Sequence, residues 1–435
     1  MIDTVVNALR QRAAVAEYAV TEVKSRHAQR SAQRASSGDR HEVIAAVFYD
    51  DAAGRGDASL IVQPHQLADL SGLIDGAIER ARRSRGPSWR LPSPAAPARV
   101  ELFDDSFADD PAAGAFEIAQ QIDKALAASG PLADAAGEFV RAPDASVKVD
   151  LISTEVRTST GFRGVFPASR VLVSLTLSPV GEALEAGTSS LRLHRRRRED
   201  LAIEAALIDA AQRLRRRRRA RRIDAGVYDL ALPARAIEEA GPGFGWFEPL
   251  VAQADGAAAR RGLARYLPGQ PIFGDTDAGG DPLTIASDGT VAFAPLSLPF
   301  ADHGAPVRRF NLVDKGVAAG LGLDLREAAL ANSAPNGGVR NLVIEPGSLR
   351  TDRAGITQNP LLTVSDLSHL HTDVHTGDFA AAVALGSLDG ESVTGATLLG
   401  NVYSLLATAR LSSEIAQRGW YHGPTEIRFA SVQVV

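Results

Sequence analysis

His369, His371, Asp373 and His375 stand at every second position near the C-terminal end of the chain. On an extended strand, alternate side chains project from one face, so three imidazoles and a carboxylate would point the same way. Neutral imidazole nitrogens and carboxylate oxygens are donors that Zn²⁺ accepts. This makes His369, His371 and His375 the candidate metal ligands. Two features weigh against a metal: the adjacent Thr376-Gly377-Asp378 turn would break the strand, and no helix supplies further ligands. The reading adopted is a polar, substrate-binding face made by His369, His371, Asp373 and His375, with no metal or cofactor held by this chain. The isolated His27, His65, His194 and His422 read as surface or capping residues, and His303 as part of a turn.

Arginine is the second unusual feature. Arg195 to Arg198 form one run, and Arg213, Arg215 to Arg219, Arg221 and Arg222 form another. Such runs can bind phosphates of DNA or RNA. No aromatic residue interleaves with them and no nucleic-acid motif accompanies them, so a solvated helix end is the preferred reading. An acidic partner surface comes next, and nucleic acid is not expected. There is no G-x-G-x-x-G after a strand, no phosphate-cradling loop of Walker type and no G-x-S-x-G elbow. Cysteine is absent from all 435 residues, which excludes disulfides, thiolate catalysis and Cys-ligated zinc within the chain.

A chain this long exceeds one ordinary core, and 45% hydrophobic with 23% charged residues is a globular composition. No run of eighteen apolar residues would cross a membrane. The N-terminus lacks the pattern of a secretory signal, so the expected location is the cytoplasm. A net charge of −5 argues against a chain built wholly for nucleic acid.

Three sub-domains are expected to position these residues. In the first, residues 1–95, Val5, Leu9 and Ala13 mark a helix, and 17–23 reads as a strand. Residues 41–49 and 58–63 read as strands joined by a turn over 50–57. Leu67, Leu70, Ile74, Ile78 and Ala81 mark a second helix. A proline-rich linker follows over 87–98. The second, 99–222, has a helix starting at Asp110-Pro111 and strands over 146–153, 156–161 and 169–177. A long helix from Glu199 follows, its stripe made by Ile203, Leu207, Ala210 and Leu214. The third, 223–435, is β-rich: strands are expected at 227–232, 342–344, 361–364, 380–385, 393–399 and 425–435.

The order of motifs in this last part resembles the TldD/TldE (PmbA) family. The resemblance is carried by GVRNLVIEPG at 338–347, TGDF at 376–379, and Gly400-Asn401 followed by the closing strand. Phe300, Asp302 and Gly304 also match, although Ala301 does not. It implies an α+β fold of three sub-domains with a large, mostly antiparallel, β-rich C-terminal domain. In the family's metal subunit, a helix after the first C-terminal strand carries His-Glu-x-x-x-His, which binds zinc and supplies a base. Here 234–253 reads ARAIEEAGPGFGWFEPLVAQ and has no histidine. Glu238-Glu239 cannot replace two imidazoles, and Gly241-Pro242-Gly243 interrupts the helix. The His41-Glu42 pair lies in another sub-domain, with Ala46 where a second histidine would be needed. The chain therefore resembles the TldE (PmbA) type.

The resemblance implies a non-catalytic subunit of a heteromeric metalloprotease. Its TldD-like partner would carry His-Glu-x-x-x-His and the zinc, and an unfolded peptide or peptide-like natural product would be the substrate, held along a sheet edge. Two rivals are a stand-alone hydrolase with an atypical site at His369, His371 and His375, and a nucleic-acid-associated factor using the arginines.

Overall fold

Helix α1 (Ile2–Arg10) buries Val5 and Leu9. Ala13 lies past its end. Strands β1 (Glu17–Ser31), β2 (Ala35–Asp51) and β3 (Gly54–Val62) then form an antiparallel meander, and α2 (Leu70–Arg83) packs Ile74 and Ile78 against it. Further on come α3 (Pro111–Ala127), β4 (Ser146–Thr158), β5 (Arg163–Pro179), β6 (Ser189–Arg195) and α4 (Ile203–Arg219). The computed structural model describes all residues except 32, 53, 108–109, 128–130, 181–186, 242, 275–278 and 351–358.

β1 pairs with β2 on one side and with β4 on the other, so one eight-stranded sheet spans both sides of the proline-rich stretch. That stretch has no regular structure, but it is strapped down. The Trp89 ring meets Phe48 edge-on at 5.1 Å, Leu91 is buried, and its N–H donates to Glu17 at 3.0 Å. The boundary at 95–99 falls between two hydrophobic cores, one under α1 and α2 and one under α3 and α4. It does not fall between two sheets.

Three local expectations change. The hairpin is tighter than a turn over 50–57, because pairing continues to Asp51↔Gly54. Gly54 permits this with a φ of +125°, where a side chain would strain the backbone. The strands expected at 146–153 and 156–161 are one strand, β4, since its pairing with β1 runs without a shift from Ser146 to Thr158; 159–161 turn at Gly161, φ +97°. The helix expected from Glu199 starts at Ile203, because Ala202 takes a left-handed φ of 42° after a single 3₁₀ turn. Its stripe of Ile203, Leu207, Ala210 and Leu214 is buried as anticipated.

In the C-terminal part, β7 (Gly226–Pro233) leads into α5 (Ala234–Glu238). β8 (Ile285–Asp288), β9 (Phe310–Asp314) and β10 (Asn341–Ile344) follow. Then come β11 (Leu361–Thr372), β12 (Asp378–Leu388), β13 (Ala396–Asn401), β14 (Tyr421–Pro424) and β15 (Glu426–Val434). β7 pairs with β15, β15 with β13, β13 with β12, β12 with β11, and β11 in parallel with β7. The five strands therefore close into a barrel, which leaves fewer of the edges that open apolar strands would expose to aggregation. β8, β9, β10 and β14 belong to a six-stranded sheet that shares a core with the barrel. The fold is α+β and mostly antiparallel, with a β-rich C-terminal region.

The motifs near the C-terminus hold one another. Asn401 donates to Thr376 O and to Asp378, both at 2.9 Å, and its carbonyl oxygen caps the following helix at Tyr403 N–H. At Gly377 (φ +82°) a Cβ would lie 2.6 Å from the Tyr403 ring.

His41 is committed to Glu22. Its Nε2 lies 2.9 Å from Glu22, which also meets Lys24 at 3.2 Å and accepts from the Ile2 N–H at 3.2 Å. Burial works against the charge, but these bonds hold the Glu22 pKa down to about 2 from an ordinary 4.5. A folded-state pKa below the unfolded one stabilises above the unfolded value, and that contribution is lost as pH falls through about 2. Glu22→Gln is expected to cost about 2–3 kcal/mol at neutral pH. The gap from wild type should close between pH 4.5 and 2 in urea-unfolding titrations. A gap independent of pH would refute this.

Candidate functional site

A cleft of about 740 Å³ lies between the large sheet and the barrel. β6 forms one wall. Its strict alternation buries Leu191 and Leu193 and turns Ser190, Arg192 and His194 outward. β6 pairs with β5 alone, so its other edge has no backbone partner among the described residues. The facing wall is β11. It pairs with β7 only over residues 361–363 and is then bulged against β12 between Val364 and His369. Beyond Val364 its α5 side is again free of backbone pairing among the described residues, and Ser365, Asp366, Leu367 and Ser368 line the cleft. Two free strand edges from different sheets thus border one cavity.

α5 closes the end. Pro233 precedes it, and the positive-φ Gly241 and Gly243 follow (φ 101° and 66°), so the helix has only five residues. Pro242 lies outside the described residues. The short helix presents Arg235, Glu238 and Glu239 to the cleft.

These groups form an ion-pair network with α4 and neighbouring strands. Arg213, only 3% exposed, meets Asp366 at 2.9 Å, Asp209 at 3.3 Å and Glu239 at 3.8 Å. Arg235 meets Glu239 at 2.9 Å and Asp366 at 3.3 Å, and also donates to Ser365 O. Arg195 and Arg418 reach Glu238 at 3.3 and 3.7 Å. Burial raises the Glu239 pKa, with Glu238 adding repulsion, while Arg235 and Arg213 oppose the rise. Burial disfavours the Arg235 charge, but Glu239, Asp366 and Asp209 more than compensate. His194 is held below its usual range by desolvation and by the nearby Arg170, Arg196 and Arg195. The network fixes the cleft wall and leaves no free carboxylate on α5.

The residues expected to form one polar face are separated. His369 and His371 do share a face of β11, opposite Ala382 and Ala380, and both are exposed. The strand ends at Thr372. Asp373 instead caps the turn, accepting from the His375 and Thr376 N–H groups at 2.8 and 2.9 Å, and these bonds hold its carboxyl below the usual range. His375 lies in that turn. None of the four lines the cleft. His371 borders a smaller neighbouring pocket with Glu248. Among the described residues no three of His, Cys, Asp and Glu converge in a way that would hold a metal.

The first arginine run is half-buried and bonded rather than freely solvated. Arg196 donates to Ala294 O and Pro295 O at 3.1 and 3.0 Å. Arg197 pairs with Asp200 and lies 4.5 Å over the Phe293 ring. Arg198 pairs with Glu117 at 2.6 Å. The run therefore bolts the large sheet to the C-terminal part. The second run divides: Arg213 is buried, Arg218 pairs with Glu138, and among the described residues Arg215, Arg216 and Arg217 bond to Asp134 O, Ser392 Oγ and Thr188 O. Sequence reading overlooked Arg192, Arg235 and Asp366, and took Arg213 for part of a solvated run rather than a buried ion-pair partner. A signal for Arg213 existed: it follows Ala210 by three positions, on the buried stripe of α4.

Residues 269–435 match the family model described as the PmbA/TldA metallopeptidase C-terminal domain. Three solved structures resemble the whole chain. A proposed modulator of DNA gyrase from Bacteroides thetaiotaomicron is 17% identical, with a TM-score of 0.79 over 99% of this chain and 97% of that one. TldE from Thermococcus kodakarensis is 19% identical, with a TM-score of 0.74 over 96% of each chain. A proposed modulator of a DNA gyrase from Thermotoga maritima is 14% identical, with a TM-score of 0.74 over 96% of each chain. No curated protein matches the chain. Among the described residues no helix is long and apolar enough to cross a membrane.

Proposed function

We propose, for a chain that belongs to the TldD/TldE (PmbA) family by its C-terminal domain, the role of the zinc-motif-less subunit of a cytoplasmic heteromeric metallopeptidase. A TldD-like partner carrying His-Glu-x-x-x-His supplies zinc and base. This chain holds an extended peptide, or a peptide-like natural-product precursor, in its cleft by adding it to a free strand edge. The observation that carries the reading is α5, where Arg235, Glu238 and Glu239 are tied into ion pairs on the stretch that bears histidines in the metal subunit. These residues do not suit zinc. They include no imidazole, and their carboxylates already face guanidiniums that would repel a cation. The exposed His369, His371 and His375 would meet the partner and orient substrate there.

The test is co-expression with such a partner, followed by size-exclusion chromatography, elemental analysis and peptide hydrolysis. Alone, the chain should carry no stoichiometric zinc and no peptidase activity. Together, the two chains should co-elute and cleave unfolded peptide, and His371→Ala with His375→Ala should slow turnover. About one tightly bound zinc per isolated chain would sink the non-catalytic reading. Separate elution would sink the heteromer.

A further inference from the structure

Resting on that reading, we infer that the cleft selects acidic peptides. Among the described residues every carboxylate that lines it is already paired: Glu238 with Arg195 and Arg418, Glu239 with Arg235, and Asp366 with Arg213 and Arg235. Arg192 and Arg217 also line the cleft, both are exposed, and neither has a carboxylate partner among the described residues. Arg192 projects from the β6 strand that offers the free edge. Arg217 donates to Thr188 O just before that strand, so both charges stand where side chains of an added strand would lie. Exposed Arg219, Arg221 and Arg222 follow Arg217 in the chain and also have no carboxylate partner among the described residues.

An extended polypeptide fits this surface better than a nucleic acid does. The cationic side chains flank strand edges that have no backbone partner among the described residues, although Arg217, Arg213 and Arg235 donate to the carbonyls of Thr188, Ser190 and Ser365. Among the described residues no Phe, Tyr or Trp lines the cleft to stack on bases. The occupant is therefore a segment with Asp or Glu at alternate positions, its carboxylates facing Arg192 and Arg217.

The experiment is fluorescence anisotropy on the full chain with three labelled peptides of one length: a Glu-rich sequence, the same sequence with Gln at each Glu, and one with Lys. The Glu peptide should bind about tenfold more tightly than the Gln peptide at low salt. The difference should shrink as salt rises and vanish when Arg192→Gln and Arg217→Gln are combined. Both side chains are exposed, so circular dichroism of the double variant should match wild type. Equal binding of the Glu and Gln peptides overturns the acidic preference and leaves the peptide-holding reading intact. Binding of no peptide overturns both. A single-stranded oligonucleotide that displaces the Glu peptide, and loses affinity in the same double variant, assigns the surface to nucleic acid and overturns the proposal.

Discussion

Arg213→Ala is expected to cost about 3 kcal/mol of stability, because it removes a buried guanidinium from the half-buried carboxylates of Asp366 and Asp209. Arg213 is 3% exposed and ties Asp209 of α4 to Asp366 of β11. It therefore links the middle helix to the barrel across the cleft. Removing it strands Asp366 with only Arg235, at 3.3 Å, and removes one of the cations that oppose the raised Glu239 pKa. Replacing a buried pair by apolar groups of similar volume is often close to neutral. The combination Arg213→Met with Asp366→Leu should then recover most of the loss. Urea-unfolding midpoints of the three proteins provide the check. A single-variant loss below about 1 kcal/mol would place Arg213 among ordinary surface cations.

Phe300→Ala should cost a comparable amount, about 3–5 kcal/mol. Phe300 comes from the C-terminal part but inserts into the face of the large sheet, with its ring 5.2 Å from both Phe162 and Phe166 in edge-on contacts. It is 3% exposed. The fit depends on two glycines. A Cβ on Gly164 would lie 2.4 Å from the Phe300 ring, and one on Gly304 would lie 2.5 Å from the Phe162 ring. Gly304 also holds φ at +78°, which a side chain would strain. Gly304→Ala should therefore lower the melting temperature through the same contact, while an exposed change such as Ile415→Ala should not. If Gly304→Ala melts with wild type, the aromatic lock is not what joins the two parts.

Much of the fold was legible because one local signal settles each piece. Period-3.6 stripes gave α1, α2 and α4, and the Asp110-Pro111 pair gave α3, where Asp110 caps Ala112 N–H at 2.8 Å. The motifs GVRN and TGDF were informative because their glycines need positive φ, as at Gly338 and Gly377. The loss of histidine from 234–253 was likewise plain in the letters.

Strand alternation predicted that His369 and His371 share a face, and they do. It could not fix the end of β11, where Asp373 gives its oxygen to backbone N–H groups and turns the chain away from His375. β6 went unread although SSLRLHR alternates strictly, because its arginines sat next to a longer arginine run.

By itself, then, the sequence determined most of the helices and strands, the absence of cysteine and the absence of histidine from 234–253, all of which are read from residues close together in the chain. Only the tertiary structure decided the meaning of the arginines. Arg196 meets carbonyls about a hundred residues away, at Ala294 and Pro295. Arg213 meets Asp366 at a sequence separation of 153. Arg192 remains without a carboxylate partner among the described residues. A run of identical letters carries no record of which guanidinium will find a carboxylate across the cleft. That depends on distance in space, and so does the line between a buried clip and a charge still free to bind.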